Sequence, residues 1–258
     1  MAITDTIKDL LRPVYRAYLT HRHHGNEVTC NICGKSFSSF RPIFGRHADG
    51  TVYKIENREG TCWQCSSYPR MRQLWYWLEN TYKIGERKGI SILHVAPETS
   101  VSQRIRNISD INYTCIDKRC AGYRYPSFVK DGDVCNLNFE SEQFDLVICN
   151  HVLEHIKDDR RAMSEIYRVL RKGGIALLLV PMDMSRSVTE EEAPDETLTP
   201  QQREDRFGQY DHVRIYGTDY FSRLRDSGFN VDRVTYDTDL TKKLGFIPSE
   251  EVIVCHKL

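Results

Sequence analysis

From Ile90 onward the chain alternates short apolar runs with amphipathic segments, and that alternation restricts the fold more than any other feature. "SILHVAP", "NYTCID", "FDLVICN" and "GGIALLLVP" are runs of strand type. Between the last two lies "DDRRAMSEIYRVLRKGG", with Ala162, Met163, Ile166, Tyr167 and Leu170 on one helical face. Asp158 or Asp159 can cap its start, and Gly173 can end it. Strands alternating with helices require crossovers, which cover a parallel sheet on both faces. Toward the C-terminus, "TDYFSRLRDSGFNVDRVTYD" repeats helix, glycine, strand, and "EEVIVCHK" adds a last strand. Ahead of them, residues 181–217 are polar and poor in apolar periodicity. A stretch of that length reads as a lid or substrate loop, with disorder as the competing explanation.

Residues 1–88 have a different texture and read as a separate module, with residues 89–258 forming the α/β domain. Ile3, Ile7, Leu10, Leu11, Val14, Tyr15 and Tyr18 recur at helical spacing, which predicts an amphipathic N-terminal helix. Cys30, Cys33, Cys62 and Cys65 then form two C-x-x-C knuckles. Paired knuckles bring four soft thiolates to one tetrahedral zinc ion, and a full set of thiolates leaves no open position, so such a zinc is structural. Four buried thiols without metal are the alternative. The chain has nine cysteines, an odd number, and a charged, amphipathic start rather than a secretory signal. A disulfide framework is therefore not expected, and a cytoplasmic location is. Lysine plus arginine equal aspartate plus glutamate at 36 each, so no overall field calls for nucleic acid or an anionic membrane. No apolar run reaches the ~20 residues of a membrane span.

The segment from Phe144 to Pro181 closely resembles the fourth strand, helix and fifth strand of class I S-adenosylmethionine-dependent methyltransferases. It is most similar to the "type 11" group, with its strand–x–LEH–helix–RVLxxGG–strand pattern. The resemblance implies a Rossmann-like, seven-stranded methyltransferase sheet with helices on both faces, and S-adenosyl-L-methionine as cofactor. The knuckles followed by "SYPRMRQLWYWL" and "LHVAPE", and later "FGQYDHVRIYG", resemble a narrower bacterial group that carries such a zinc module. In the family the first strand normally ends in an acidic residue and a glycine-rich turn. Here His94, Ala96, Pro97 and Glu98 stand in that place. Adenosylmethionine has no pyrophosphate, so a small Ala96 can still permit close approach, while Glu98 could meet the cationic amino group. Asp117 at the end of the second strand implies ribose binding, a task carboxylates also perform in dinucleotide folds. Asp133 implies a contact near the adenine amino group, with Val134 packed on the ring. Asn150 implies a contact to the methionine portion or the acceptor.

Methyl transfer needs an aligned nucleophile, and a hydroxyl or amine acceptor benefits from a base. His212 is the expected base, with Asp211 or Tyr216 orienting its ring and His151 as the rival. Glu154 and His155 are expected to orient the helix start, and "HVLEH" is not read as a zinc motif. Arg214 could pair with an anionic group on the acceptor, beside Tyr216; a salt-bridged loop closing over the cofactor is the alternative. The leading acceptor is a small polar molecule, a sugar or natural-product intermediate. RNA or protein gripped by the zinc module is a second reading, favoured by Arg12, Arg16, Arg22, His23, His24, Arg70 and Arg72. A non-enzymatic zinc scaffold on a degenerate methyltransferase fold is a third.

Overall fold

The computed structural model describes residues 2–55, 60–120, 122–193 and 195–258, with side chains described from Leu11 onward. The chain forms two compact units, each discontinuous in sequence. One comprises residues 1–45, 53–84 and 236–249, the other residues 46–52, 85–235 and 250–258. Among the described residues no helix is long and apolar enough to cross a membrane.

The N-terminal part opens with helix α1 (Ala2–Arg22), as its periodicity predicts. The side chains of Ile3, Ile7 and Leu10 lie outside those described. Short strands β1 (His24–Thr29) and β2 (Ser36–Phe37) pair antiparallel, as do β3 (Phe44–Arg46) and β4 (Val52–Lys54), the hairpin the long linker between the cysteine pairs allows. Helix α2 (Pro69–Asn80) begins with proline at its first position, where the missing N–H costs nothing, and buries Leu74, Trp75, Trp77 and Leu78. Its Arg72 is fully buried. The guanidinium donates to the carbonyls of Ser67 (2.8 Å), Gly60 (3.0 Å), Leu244 (2.7 Å) and Gly245 (2.6 Å), and stacks 3.8 Å from the Phe40 ring centroid. Leu244 and Gly245 close a helix from near the other end of the chain (Thr238–Leu244), so one side chain ties three segments together.

The second unit holds the seven-stranded sheet. Its elements, in chain order, are β5 (Ile90–Val95), α3 (Thr99–Arg106), β6 (Ile111–Asp117), β7 (Val129–Asp131), β8 (Phe144–Cys149), α4 (Asp159–Val169) and β9 (Leu170–Leu177). There follow β10 (Glu190–Glu191), α5 (Pro200–Phe207), β11 (Arg214–Ile215), α6 (Tyr220–Asp226) and β12 (Asn230–Val234); α7 is the Thr238–Leu244 helix, and β13 (Val252–His256) ends the chain. The sheet order is β12-β13-β9-β8-β5-β6-β7. Strands β5 to β9 run parallel, and β13 enters antiparallel between β9 and β12. The apolar face of α4 buries Ala162, Met163, Ile166 and Val169 completely, each large side chain contributing about 1.5–3 kcal/mol. Asp158 caps this helix by accepting from the Arg161 N–H at 3.0 Å.

Two expectations change. The helix ends at Val169 rather than at Gly173, because the Lys257 ammonium takes the carbonyls of Tyr167 (3.0 Å) and Leu170 (2.8 Å). Gly173 instead lies in the irregular start of β9, with φ 74°. The polar stretch 181–217 is also structured: Thr199 and Gln202 form a capping box ahead of α5, and Gly208 (φ 82°) ends it. Arg206 holds Glu190 (2.8 Å) and Glu196 (2.9 Å). Arg203 reaches Glu192 at 3.1 Å.

Replacing Arg72 by leucine leaves four buried carbonyls short of a charged donor. Urea unfolding of Arg72→Leu should show a loss of about 3–5 kcal/mol, the range for removing one member of a buried charged network. A loss below 1 kcal/mol would mean that those carbonyls find other partners.

Candidate functional site

The order of the sheet reverses between β5 and β8, and the carboxyl ends of strands at such a reversal are where open α/β sheets bind ligands. The residues expected at the cofactor cluster there. In register, His94 and Val95 of β5 lie beside Ile148 and Cys149 of β8, and beside Cys115 and Ile116 of β6. Asp117 closes β6 opposite Asp131, Asp133 follows β7, and Asn150 follows β8.

The glycine-free turn has the conformation a glycine would supply. Ala96 sits at φ 48°, its N–H held by the Ile116 carbonyl at 2.8 Å. Left-handed backbone costs a residue with a Cβ about 1–2 kcal/mol, and such strain concentrates where a ligand must come close. Beyond it, Glu98 is held from two sides. The amide of Asn150 donates to Glu98 Oε1, and His94 Nε2 lies 3.2 Å from Glu98 Oε2. His94 is completely buried, and its Nδ1 meets the Tyr113 hydroxyl at 2.7 Å. Both ring nitrogens are thus engaged inside the protein, and His94 positions Glu98 instead of touching a cofactor as expected.

Asp117 has its pKa raised, chiefly by burial, a state that hydroxyl donors would relieve. Asp133 is held below the usual carboxylate range by its 2.7 Å contact with Lys118 and by the Cys135 N–H. Val134 is 3% exposed and packs with the core residues Ile116 and Leu137, leaving almost none of its surface for an adenine ring. The Oδ1 atom of Asn150 is buried and has no hydrogen-bond partner. Three carboxylates and one open carbonyl oxygen at the strand ends suit a cationic ligand rich in N–H and O–H donors, as adenosylmethionine is.

Next to Asn150, His151 is also left-handed (φ 53°), anchored by its N–H to Leu179 at 2.8 Å. It begins the turn that carries Glu154 and His155. The His151 Nδ1 lies 3.3 Å from Glu154 Oε1, and the Glu154 side chain is 1% exposed. Burial alone would raise the pKa of Glu154, but the hydrogen bond and charge of His151, then His155, hold it below its usual value. The segment with Asp211 and His212 packs on this turn: the Val213 N–H donates to Glu154 O at 2.9 Å. The His155 and His212 rings meet edge to face at 4.8 Å. Burial, first of all, pulls the His212 pKa below its ordinary value, which favours the neutral imidazole. Asp211 serves a different histidine from the one expected: its carbonyl lies 3.1 Å and its Oδ2 3.6 Å from His155 Nδ1.

Arg214 and Tyr216 occupy the interior rather than an acceptor surface. Arg214 is 2% exposed and donates to the carbonyls of Leu153 (3.1 Å), Ile156 and Lys157 (2.9 Å) and to Glu191 (3.1 Å). The Tyr216 hydroxyl donates to Asp159 at 2.8 Å, and Arg223 reaches the same carboxylate at 3.1 Å. Their expected role as acceptor contacts gives way to fastening residues 153–157 against 214–216, because every one of these donors already has an internal acceptor. No sequence motif distinguishes such a pair from a ligand-binding one; only burial does.

The cysteines converge as the two knuckles predict. Gly34 N–H donates to Cys30 O at 2.7 Å, and in the same place of the second knuckle Ser66 N–H donates to Cys62 O at 2.9 Å. Both residues are left-handed, at φ 74° and 59°. The sulfurs of Cys30 and Cys65 lie 3.6 Å apart, as do those of Cys33 and Cys62. Thiolates on one zinc at about 2.3 Å stand roughly 3.8 Å apart, and all four sulfurs lie within 4.8 Å of one another, so the set could hold that ion.

If Ala96 bears the strain of the turn, Ala96→Gly should melt with a stability within about 1 kcal/mol of the parent, relief of strain offsetting the added chain entropy. Ala96→Val should lose about 2 kcal/mol or more, since β-branched residues are outliers at positive φ. Equal stability of the two variants would argue against a strained turn.

Residues 102–178 match the family model described as a methyltransferase domain. No curated protein matches the sequence. Among solved structures, an S-adenosylmethionine-dependent methyltransferase of Mesorhizobium loti is 15% identical, covering 70% of this chain and 96% of its own, with a TM-score of 0.46. One from Aquifex aeolicus is 12% identical over 71% of this chain and 93% of its own, at 0.44. A chain of the complex between the Haloferax volcanii Trm112 methyltransferase activator and a methyltransferase is 12% identical over 72% and 91%, at 0.48. The sheet has the Rossmann-like methyltransferase fold, and residues 102–178 are similar to a methyltransferase domain.

Proposed function

We propose that the protein transfers a methyl group from S-adenosyl-L-methionine to a hydroxyl or amine of a small polar acceptor, a sugar or natural-product intermediate. What supports the reading is that Asp117, Asp133 and Asn150 end or follow neighbouring strands at the reversal of the sheet, with Glu98 hydrogen-bonded to Asn150 and His151 next to Asn150 in the chain. Bound there, the cofactor would supply an electrophilic methyl on a sulfonium. Asp117 accepts the ribose hydroxyls, Asp133 the adenine amino group, and Glu98 with Asn150 the amino end. His94 supports them by fixing Glu98. The acceptor's proton leaves to an imidazole, His212 foremost and His151 second, with Asp211 holding the neighbouring His155 ring. A neutral imidazole can take that proton near pH 7 without a large shift. The cysteine module holds one structural zinc, as in the narrower bacterial group the sequence resembles, and the enzyme is cytoplasmic.

Titration calorimetry with adenosylmethionine should give one site, and Asp117→Ala should weaken it about 10-fold or more through loss of charge-assisted hydrogen bonds worth ~1.5–3 kcal/mol each. His212→Ala should keep cofactor affinity and lose about 10²–10⁴ in turnover. With burial holding the His212 pKa below its ordinary value, the rate should hold through neutral pH and fall as the pH drops through that lowered pKa. No cofactor binding by the unaltered protein would leave the scaffold reading instead.

For the zinc, metal analysis of protein purified without chelator should find an ion that Cys62→Ser removes. Because metal binding and folding are coupled in such modules, the same change should lower the melting temperature. A metal-free protein that melts normally would end this assignment.

A further inference from the structure

One group in the acceptor region is out of balance. The Oε2 atom of Glu154 is buried and has no hydrogen-bond partner among the described residues. A buried carboxylate oxygen without a partner is costly, so a protein that keeps one has a use for it. The surroundings say which use. One ligand atom from each of Glu154, His155 and His212 lies within 4.8 Å of the others. The His155 Nδ1 meets the Asp211 carbonyl at 3.1 Å, the kind of outer contact that fixes the tautomer and orientation of a metal-bound imidazole. His151 braces the other oxygen of Glu154 at 3.3 Å.

We propose that Glu154, His155 and His212 form a second metal site, separate from the cysteines, that takes a divalent first-row transition ion. Two imidazoles and a carboxylate are borderline ligands suited to zinc, manganese or iron(II), and poorly suited to magnesium or calcium. Ligands about 2.1 Å from one ion stand roughly 3–4 Å apart, so the three atoms need to close by only about an ångström. The motif is H-x-x-E-H in the turn after β8, completed from the loop before β11. It differs from the helical zinc motif whose two histidines, four apart, are both ligands, because here the adjacent Glu154 and His155 are the ligands and His151 only braces the glutamate. Three protein ligands would leave coordination positions open, and an acceptor hydroxyl bound in one of them would be acidified and give its proton to His151, the second base candidate, since a metal-bound His212 could not take it. That use of the ion rests on the methyltransferase reading; its binding does not.

His212→Ala slows turnover whether His212 is a base or a ligand, so metal binding is the measurement that separates the two roles. Full-length protein carrying its cysteine-bound zinc is titrated with Mn²⁺, which does not displace zinc from thiolates, and followed by electron paramagnetic resonance. One saturable Mn²⁺ per chain is expected, weakened at least 10-fold in both Glu154→Gln and His212→Ala, with unchanged melting temperature. Zinc competing for that Mn²⁺ would support the same site. Absence of saturable Mn²⁺ binding, or equal affinity in both variants and the parent, overturns the proposal. Adenosylmethionine binding measured on the same samples keeps the two claims apart: cofactor binding without a second metal sinks this site alone. Metal binding in a protein that never binds cofactor leaves the site standing and sinks the transferase reading.

Discussion

The candidate site depends on one buried guanidinium. Arg214 donates to the carbonyls of Leu153, Ile156 and Lys157, and to Glu191, with almost no contact with solvent. Those carbonyls bracket Glu154 and His155, while Asp211 and His212 lie immediately before the arginine in the chain. A single side chain therefore sets the distance between the turn after β8 and the loop that returns over it. Lysine could not replace it, because one ammonium cannot serve carbonyls spread over five residues as a planar fork of five N–H donors does. The shared carboxylates reinforce the arrangement. Asp159 accepts from Tyr216 and Arg223, and Glu191 accepts from Arg214 and Arg223. Buried charges of this kind add little net stability over an apolar core, but they specify one arrangement of the loops they join.

Backbone strain marks the same neighbourhood. Ala96 and His151 both hold left-handed conformations, at the ends of β5 and β8, on either side of the reversal of the sheet. Each is anchored by its own N–H, to Ile116 and Leu179. The absence of glycine from the first turn thus changes which residue bears the conformation, and leaves the conformation itself in place. Ser66 does the same for the second cysteine knuckle, where the first knuckle has Gly34. In both pairs the hydrogen-bonding demand of the turn, rather than the identity of the residue, dictates the geometry.

The electrostatics divide the region into two neighbouring parts. Toward β6 and β7 stand the carboxylates of Asp117 and Asp133, joined across β5 by Glu98, which His94 and Asn150 hold in place. Toward the loop before β11 stand three imidazoles around one deeply buried carboxylate. The first part suits a cationic cofactor with hydroxyl and amino donors. The second suits a group that must lose a proton, or an ion that draws one off. Asn150 and His151, adjacent in the chain, link the two, so both can act on one molecule.

Much of this was legible in the residues themselves. The apolar runs located every strand of the central sheet that they were used to predict, and the spacing of Ala162, Met163 and Ile166 located α4, because period-2 and period-3.6 burial are local properties. The four cysteines announced their convergence for the same reason, since each knuckle is a local turn. α5 has a local signature too: "TPQQ" with a glycine nine residues after its threonine is a capping box and a left-handed stop, even without apolar periodicity. Other features had no local signature. Arg214 and Tyr216 look like ligand-binding residues until their acceptors, 23 to 61 positions away, are known. Arg72 gives no sign that it closes a helix 172 residues later, nor residues 236–249 that they belong with the N-terminal unit. Whether a charged side chain faces solvent, a ligand or a carbonyl is decided by what the rest of the chain brings beside it, and that requires the tertiary structure.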